Sequence, residues 1–220
     1  EFLTYADTSS THLINKIKNA SKPLNEMADV QRGVTPFHLM DEPIYPTCRH
    51  ALSGSVRRYT IEKKLDAYIR FDETLAEPKP ERYFIGPRIL LREIISRQFR
   101  LQAVKATEDF VTNKSMQSIL AADGGPDTNY ILGLLNSNLV SWYFLKISNI
   151  AQRDDFPKIV LKESRSLPIR PIDFTNPTDK AAHDRMVQLV EQMLTLQKQL
   201  PEARTGHDQT HLQRQINATD

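Results

Sequence analysis

Glycine is scarce in this 220-residue chain, which has seven, and cysteine and tryptophan occur once each. No glycine-rich turn follows a strand-like run, so the close backbone approach that a methyltransferase fold offers its cofactor has no candidate segment here. A phosphate loop ending in Gly-Lys-Ser/Thr and an HExxH metal motif are also missing. The Asn/Asp-Pro-Pro-aromatic tetrad of amino-methyltransferases is absent too, and Asp41-Glu42-Pro43-Ile44-Tyr45, the nearest string, departs from it. Cys48 has no cysteine partner, which fits a reducing cytoplasm, and Cys48 with His50 supplies too few ligands for zinc. No run approaches the roughly 18 to 20 apolar residues of a membrane span. The opening EFLTYADTSS lacks the basic start and small-residue cleavage site of a signal peptide, and reads as an internal stretch of something longer.

Net charge is small as well, at +2 from 29 basic and 27 acidic residues. Its distribution is uneven. From Arg49 to Arg70 six Lys/Arg stand against two acids, and from Arg82 to Lys114 seven stand against three. The tail from Asp173 to Asp220 has five basic and seven acidic residues. A basic middle with an acidic tail suits a polyanion-facing surface joined to a separate structural arm.

With 40% hydrophobic content the chain has enough apolar residues for a sizeable core. Leu13, Ile14 and Ile17 predict a helix over 11–22, stopped by Pro23. A short strand is expected over 27–34, running into a turn at Gly33, with loop from Thr35 to Ser55. Alternation of Leu65, Ala67, Ile69 and Phe71 with polar neighbours predicts a strand, and further strands are expected at 88–95, 101–107 and 110–120. After ADGGPDT, Asp127 or Thr128 caps one continuous helix carrying Ile131, Leu134, Leu135, Leu139, Trp142 and Leu145 on its apolar face. Trp142 is therefore assigned to the core. Another strand is expected within 158–172. Met186, Leu189, Met193, Leu196 and Leu200 then step by three and four, the spacing of a coiled-coil seam, and His207 to Ile216 form a second helical piece. The expected fold is α/β in the mixed α+β sense: a domain over 1–174 and a helical arm over 175–220.

Five segments, in order, resemble the TaqI-like C-terminal specificity domain of restriction-modification enzymes, akin to the target-recognition domains of type I specificity subunits. They are LINKIKNASKPLNEMADVQRGV, RYFIGPRILLREIISRQFRLQAV with FVTNKSMQSIL, YILGLLNSNLVSWYFLKIS, FPKIVLKESRSLPIRPID, and the helical tail LVEQMLTLQKQL with LQRQINATD. The chain departs from the family's frequent second glycine after Gly33, reading Gly33-Val34-Thr35-Pro36. The resemblance implies a twisted mixed sheet with flanking helices, followed by a helical spacer. It also implies a role: reading duplex DNA for a methyltransferase, adenine-specific by expectation, whose catalytic domain lies outside these residues. That domain, on the same polypeptide or a separate subunit, would bind S-adenosylmethionine, in the cytoplasm of a prokaryotic cell.

Arginine forks suit both guanine edges and phosphates, and lysines suit phosphates. The candidate DNA contacts are Arg32, Thr35, Arg57, Arg58, Lys63, Lys64, Arg92, Arg97, Lys114 and Lys158. No catalytic or metal-ligating residue is assigned, and Gly33 is read as a turn requirement. Two rival readings stay open. One is a protein-interaction scaffold docking through the heptad arm. The other is a metal-dependent nuclease assembled from Asp154, Asp155, Lys158 and Glu163.

Overall fold

The computed structural model describes residues 8–62, 65–151 and 157–220. Helix α1 (Thr8–Asn19) leads through β1 (Lys22–Pro23) into β2 (Ala28–Arg32). Strands β3 (Cys48–Leu52), β4 (Val56–Arg57), β5 (Thr60–Ile61) and β6 (Ala67–Arg70) come next. Then follow β7 (Arg88–Arg92), β8 (Ala103–Ala106), β9 (Val111–Thr112) and β10 (Met116–Ala121). Helices α2 (Thr128–Asn136), α3 (Asn138–Ile147) and α4 (Leu161–Arg165) precede β11 (Pro168–Ile169), and α5 (Pro177–Gln199) and α6 (Gly206–Thr219) complete the chain.

The fold is mixed α+β. Its centre is a four-stranded antiparallel sheet in the order β2-β10-β7-β8. A three-stranded sheet, β6-β3-β9, joins β3 and β9 in parallel, so the mixed pairing lies here rather than in the main sheet. Two-stranded ribbons β1-β11 and β4-β5 complete the pairing. Alternation along β7 divides the core. Ile89 and Leu91 join Val30, Ile119, Leu132, Leu135, Phe144 and Val190 on the helical side. Leu90 packs with Leu52, Val56, Val104, Phe110 and Met116 on the opposite side. Covering the sheet on both faces buries Arg88 to Leu91 of β7, and its three middle residues, Ile89-Leu90-Leu91, are all apolar, as its central position requires.

Three elements differ from the expectation, the first being the strand expected over 110–120, which splits into β9 and β10 at the turn over Asn113–Ser115. The stretch 35–55 is not all loop, because it contains β3, whose partners β6 and β9 come from later in the chain. CRHAL has no strong alternation, so only that long-range pairing makes it a strand. The expected continuous helix breaks at Ser137, which ends α2 and caps α3: its hydroxyl donates to Leu134 O (2.7 Å) and accepts from Val140 N–H (3.1 Å). The break shifts the apolar phase, so Val140, Tyr143 and Phe144 are buried, Leu139 is exposed and Trp142 is half-buried.

The 3-4 stripe of the tail is used internally. Val190, Met193 and Leu196 are buried, while Met186 and Leu189 are half-buried. Gly133 of α2 makes room for this approach, since a Cβ there would lie 2.6 Å from Met186 Sδ and 2.9 Å from Val190 Cγ2. No helix among the described residues is long and apolar enough to cross a membrane.

Candidate nucleic-acid interface

Antiparallel order brings the last residues of β2 and β7 to the same end of the main sheet as the first residues of β10. Arg32 lies opposite Gln117, and Arg92 lies opposite Met116. The β9–β10 turn closes this end. Asn113 Oδ1 accepts from the Ser115 N–H (3.2 Å) and hydroxyl (2.5 Å), and Asn113 Nδ2 donates to Ser53 Oγ (3.0 Å). Asn113 and Ser115 thus build the turn, and Lys114 between them is left exposed at its tip. The chain past β7 extends the surface: Glu93 N–H bonds Ser115 O (2.8 Å), and Ile94 bridges Lys158.

Gly33 holds this end together by close approach. Its N–H donates to Met116 O (2.9 Å), and a Cβ there would collide with the carbonyl oxygens of Thr112 and Asn113. Its backbone is not left-handed. The requirement for glycine therefore comes from contact with the β9–β10 turn and not from the turn geometry expected of it.

Arg32 donates to Glu77 (2.8 Å), and the Glu77 N–H donates to Thr35 O (3.0 Å), so Arg32, Thr35 and the segment at Glu77 meet. The Arg32 hydrogen bond, then its charge, holds the Glu77 carboxyl below its ordinary range. Both partners of this ion pair remain about two-fifths exposed. Arg92 and Lys158 are half-buried and Arg97 is exposed; none has an ion pair among the described residues.

The remaining candidates lie elsewhere. Arg57 pairs with Glu62 (3.2 Å) on the β4–β5 hairpin. Arg58 is committed to Asp220 at the end of α6 (2.9 Å), which also lies 3.6 Å from Arg100. Desolvation lowers the Arg58 pKa, with Tyr59 partly opposing it. Lys63 and Lys64 fall outside the described residues, as do Asp154 and Asp155 of the nuclease reading. Glu163 of that reading caps the α4 entrance, its carboxylate accepting from Val160 N–H (3.0 Å) and from the Ser148 hydroxyl. Cys48 is a free thiol, His50 stacks on Tyr68, and no metal-binding cluster occurs among the described residues.

Charge counting along the chain misses how many basic side chains the fold consumes. Arg88 is fully buried and donates to the carbonyls of Gly86 (2.8 Å), Glu108 (2.8 Å) and Phe110 (3.1 Å). Burial pushes its pKa down to about 10, so it stays charged at neutral pH. Arg49, Arg70 and Arg82 pair with Glu81, Asp72 and Asp29, and Lys105 donates to Asn129. Among the described residues, what the basic middle leaves unpaired is Arg92, Arg97 and Lys114, at one end of the main sheet. The signal for Arg88 was present: it opens a central strand whose next three residues, Ile89-Leu90-Leu91, are all apolar.

Residues 49–169 match the TaqI-like C-terminal specificity domain. The chain belongs to this family. A curated relative, a putative type II restriction enzyme and methyltransferase of Methanocaldococcus jannaschii, is 36% identical over 120 residues, covering 54% of this chain and 10% of that protein. Among solved structures, the S subunit of a type I restriction-modification system from M. genitalium aligns with a TM-score of 0.50 at 14% identity, over 82% of this chain and 41% of the subunit. The HsdS subunit from Thermoanaerobacter tengcongensis aligns over 96% of this chain and 49% of its own, with a TM-score of 0.46 and 12% identity. This specificity domain thus spans a tenth of its curated relative and less than half of either subunit. The M. genitalium likeness shows that the two share a fold.

Proposed function

We propose that this specificity domain reads duplex DNA for a restriction-modification methyltransferase acting on adenine, with residues 1–174 as the reading unit and 175–220 as the spacer. The carrying observation is the sheet end where Arg32, Arg92, Arg97, Lys114 and Lys158 converge, four of them without an ion pair among the described residues. Forks at Arg32 and Arg92 suit guanine O6 and N7, while Lys114 and Lys158 suit flanking phosphates. The methyltransferase component, on the same polypeptide or a separate subunit in a prokaryotic cytoplasm, supplies S-adenosylmethionine and extrudes the target base. Two features argue against the rivals: Met193 and Leu196 of the docking stripe are buried, and Glu163 is committed to capping α4.

The test is selection from a randomised duplex pool at two salt concentrations, with wild type and Arg32→Ala. Wild type enriches one sequence, and Arg32→Ala loses about 1 to 3 kcal/mol on that target and little on others. No enrichment by wild type at either salt rejects the reading.

A further inference from the structure

Among the described residues, two other than glycine adopt left-handed backbone, and both are aromatic: Tyr59 with φ 64° and Phe99 with φ 57°. Side chains other than glycine pay a steric penalty there, so each position needs a reason. Tyr59 has one inside the fold. Its ring packs against both the main core and the cluster of Met193, Leu196 and Ile216. Phe99 has none, because its side chain is out in solvent and the residue is 58% exposed.

The turn that carries Phe99 is firmly built. Phe99 N–H donates to Ser96 O (2.9 Å), Ser96 N–H to Arg100 O (3.0 Å), and Arg100 N–H to Ser96 Oγ (3.0 Å). Buried Ile95 and Leu101 root it on either side. This is a tight connection whose left-handed position ordinarily takes glycine. Placing phenylalanine there strains the backbone and exposes apolar surface, and neither helps folding. Exposed Arg97 shares the turn, which lies between β7 and β8 at the end of the sheet that bears Arg92 and Lys114.

We propose that Phe99 is a base-contacting wedge, its ring entering a partly unstacked base step while Arg97 holds a neighbouring phosphate. The inference rests on the DNA-reading function proposed above. Apolar wedges of this kind trade base unstacking for a closer fit to the protein, and an aromatic ring replaces part of the lost stacking. A turn held by three hydrogen bonds presents the ring without an ordering cost at binding.

The experiment uses the duplex enriched by wild type, with a fluorescent adenine analogue moved through it one position at a time. Wild type brightens the analogue at one step, and Phe99→Trp retains the effect. Phe99→Gly abolishes it and weakens binding roughly 5- to 150-fold. Because glycine relieves the strained backbone, Phe99→Gly melts at the same temperature as wild type or higher. If it binds as tightly with the same brightening, the wedge is wrong while DNA reading stands. A fall in melting temperature alongside lost binding assigns Phe99 to folding and overturns the wedge. Loss of self-association with DNA binding intact assigns the ring to a protein contact, again overturning it. If wild type enriches no duplex, DNA reading fails and the wedge falls with it.

Discussion

Asn136 pairs with the backbone of Ala103 through both of its polar side-chain atoms. Its Oδ1 accepts from Ala103 N–H at 2.9 Å, and its Nδ2 donates to Ala103 O at 2.9 Å. Ala103 lies on β8, an edge of the main sheet, so the fully buried amide stands where another strand would continue the ladder. Asn136→Ala orphans a buried N–H and lowers the unfolding free energy by about 1 to 3 kcal/mol. Chemical denaturation measures this; an unchanged midpoint would show that the amide is dispensable.

The contact of α2 with α5 predicts a second loss. Gly133→Val drives a branched side chain into Met186 and Val190 and costs about 1 to 3 kcal/mol. On α5, Leu196→Ala removes a buried side chain and costs about 2 to 5 kcal/mol, with half-buried Leu189→Ala costing less. Equal losses at the two leucines would contradict the burial described for α5.

Asp72 predicts an acid sensitivity. Desolvation pushes its carboxyl up, but hydrogen bonds from the Thr74 hydroxyl and N–H, Arg70 and Thr47 outweigh this, and the pKa falls far below the carboxylate range. A depressed folded-state value means the contribution is fully present above the unfolded pKa of about 4, and is lost as pH falls below it. Denaturation midpoints taken downward from pH 5 should therefore fall less steeply for Asp72→Asn than for wild type. Parallel curves would show that these bonds do not favour the ionised form.

Salt dependence separates exposed basic residues from those the fold consumes. Lys114→Ala makes the log-log slope of DNA affinity against salt shallower by about one unit. Arg58→Ala leaves the slope unchanged and lowers stability, since Arg58 is tied to Asp220. Fluorescence titrations on an arbitrary duplex give the slopes. A shallower slope for Arg58→Ala alone would reverse this assignment of the charges.

Glu77→Gln tests the Arg32 ion pair. Loss of the carboxylate frees the guanidinium and removes a negative charge from the DNA-facing end, so affinity for the selected duplex rises. Weaker binding by Glu77→Gln would mean that the pair is needed to aim Arg32.

Period and composition placed much of the architecture, because they are local properties. The spacing of Leu13, Ile14 and Ile17 marks α1, the apolar run at Ile89-Leu90-Leu91 marks β7, and the steps from Met186 to Leu200 mark α5. The ordered segments of the specificity domain were legible for the same reason. The break at Ser137 was harder to read, since Leu139 and Trp142 continue a helical period across it. Strand β3 was not legible at all, because CRHAL becomes a strand only through β6 and β9. The site divides along the same line. The sequence determined that basic residues concentrate in the middle of the chain, but it ran a strand through Asn113-Lys114-Ser115, where the structure has the β9–β10 turn. Only the tertiary structure decided which charges remain for a partner. An ion pair forms wherever the fold brings its partner: Arg58 meets Asp220 162 residues away, and Arg32 meets Glu77 45 residues away. Burial likewise commits Arg88 to three carbonyls, while Lys114 projects because its neighbours close the turn beneath it.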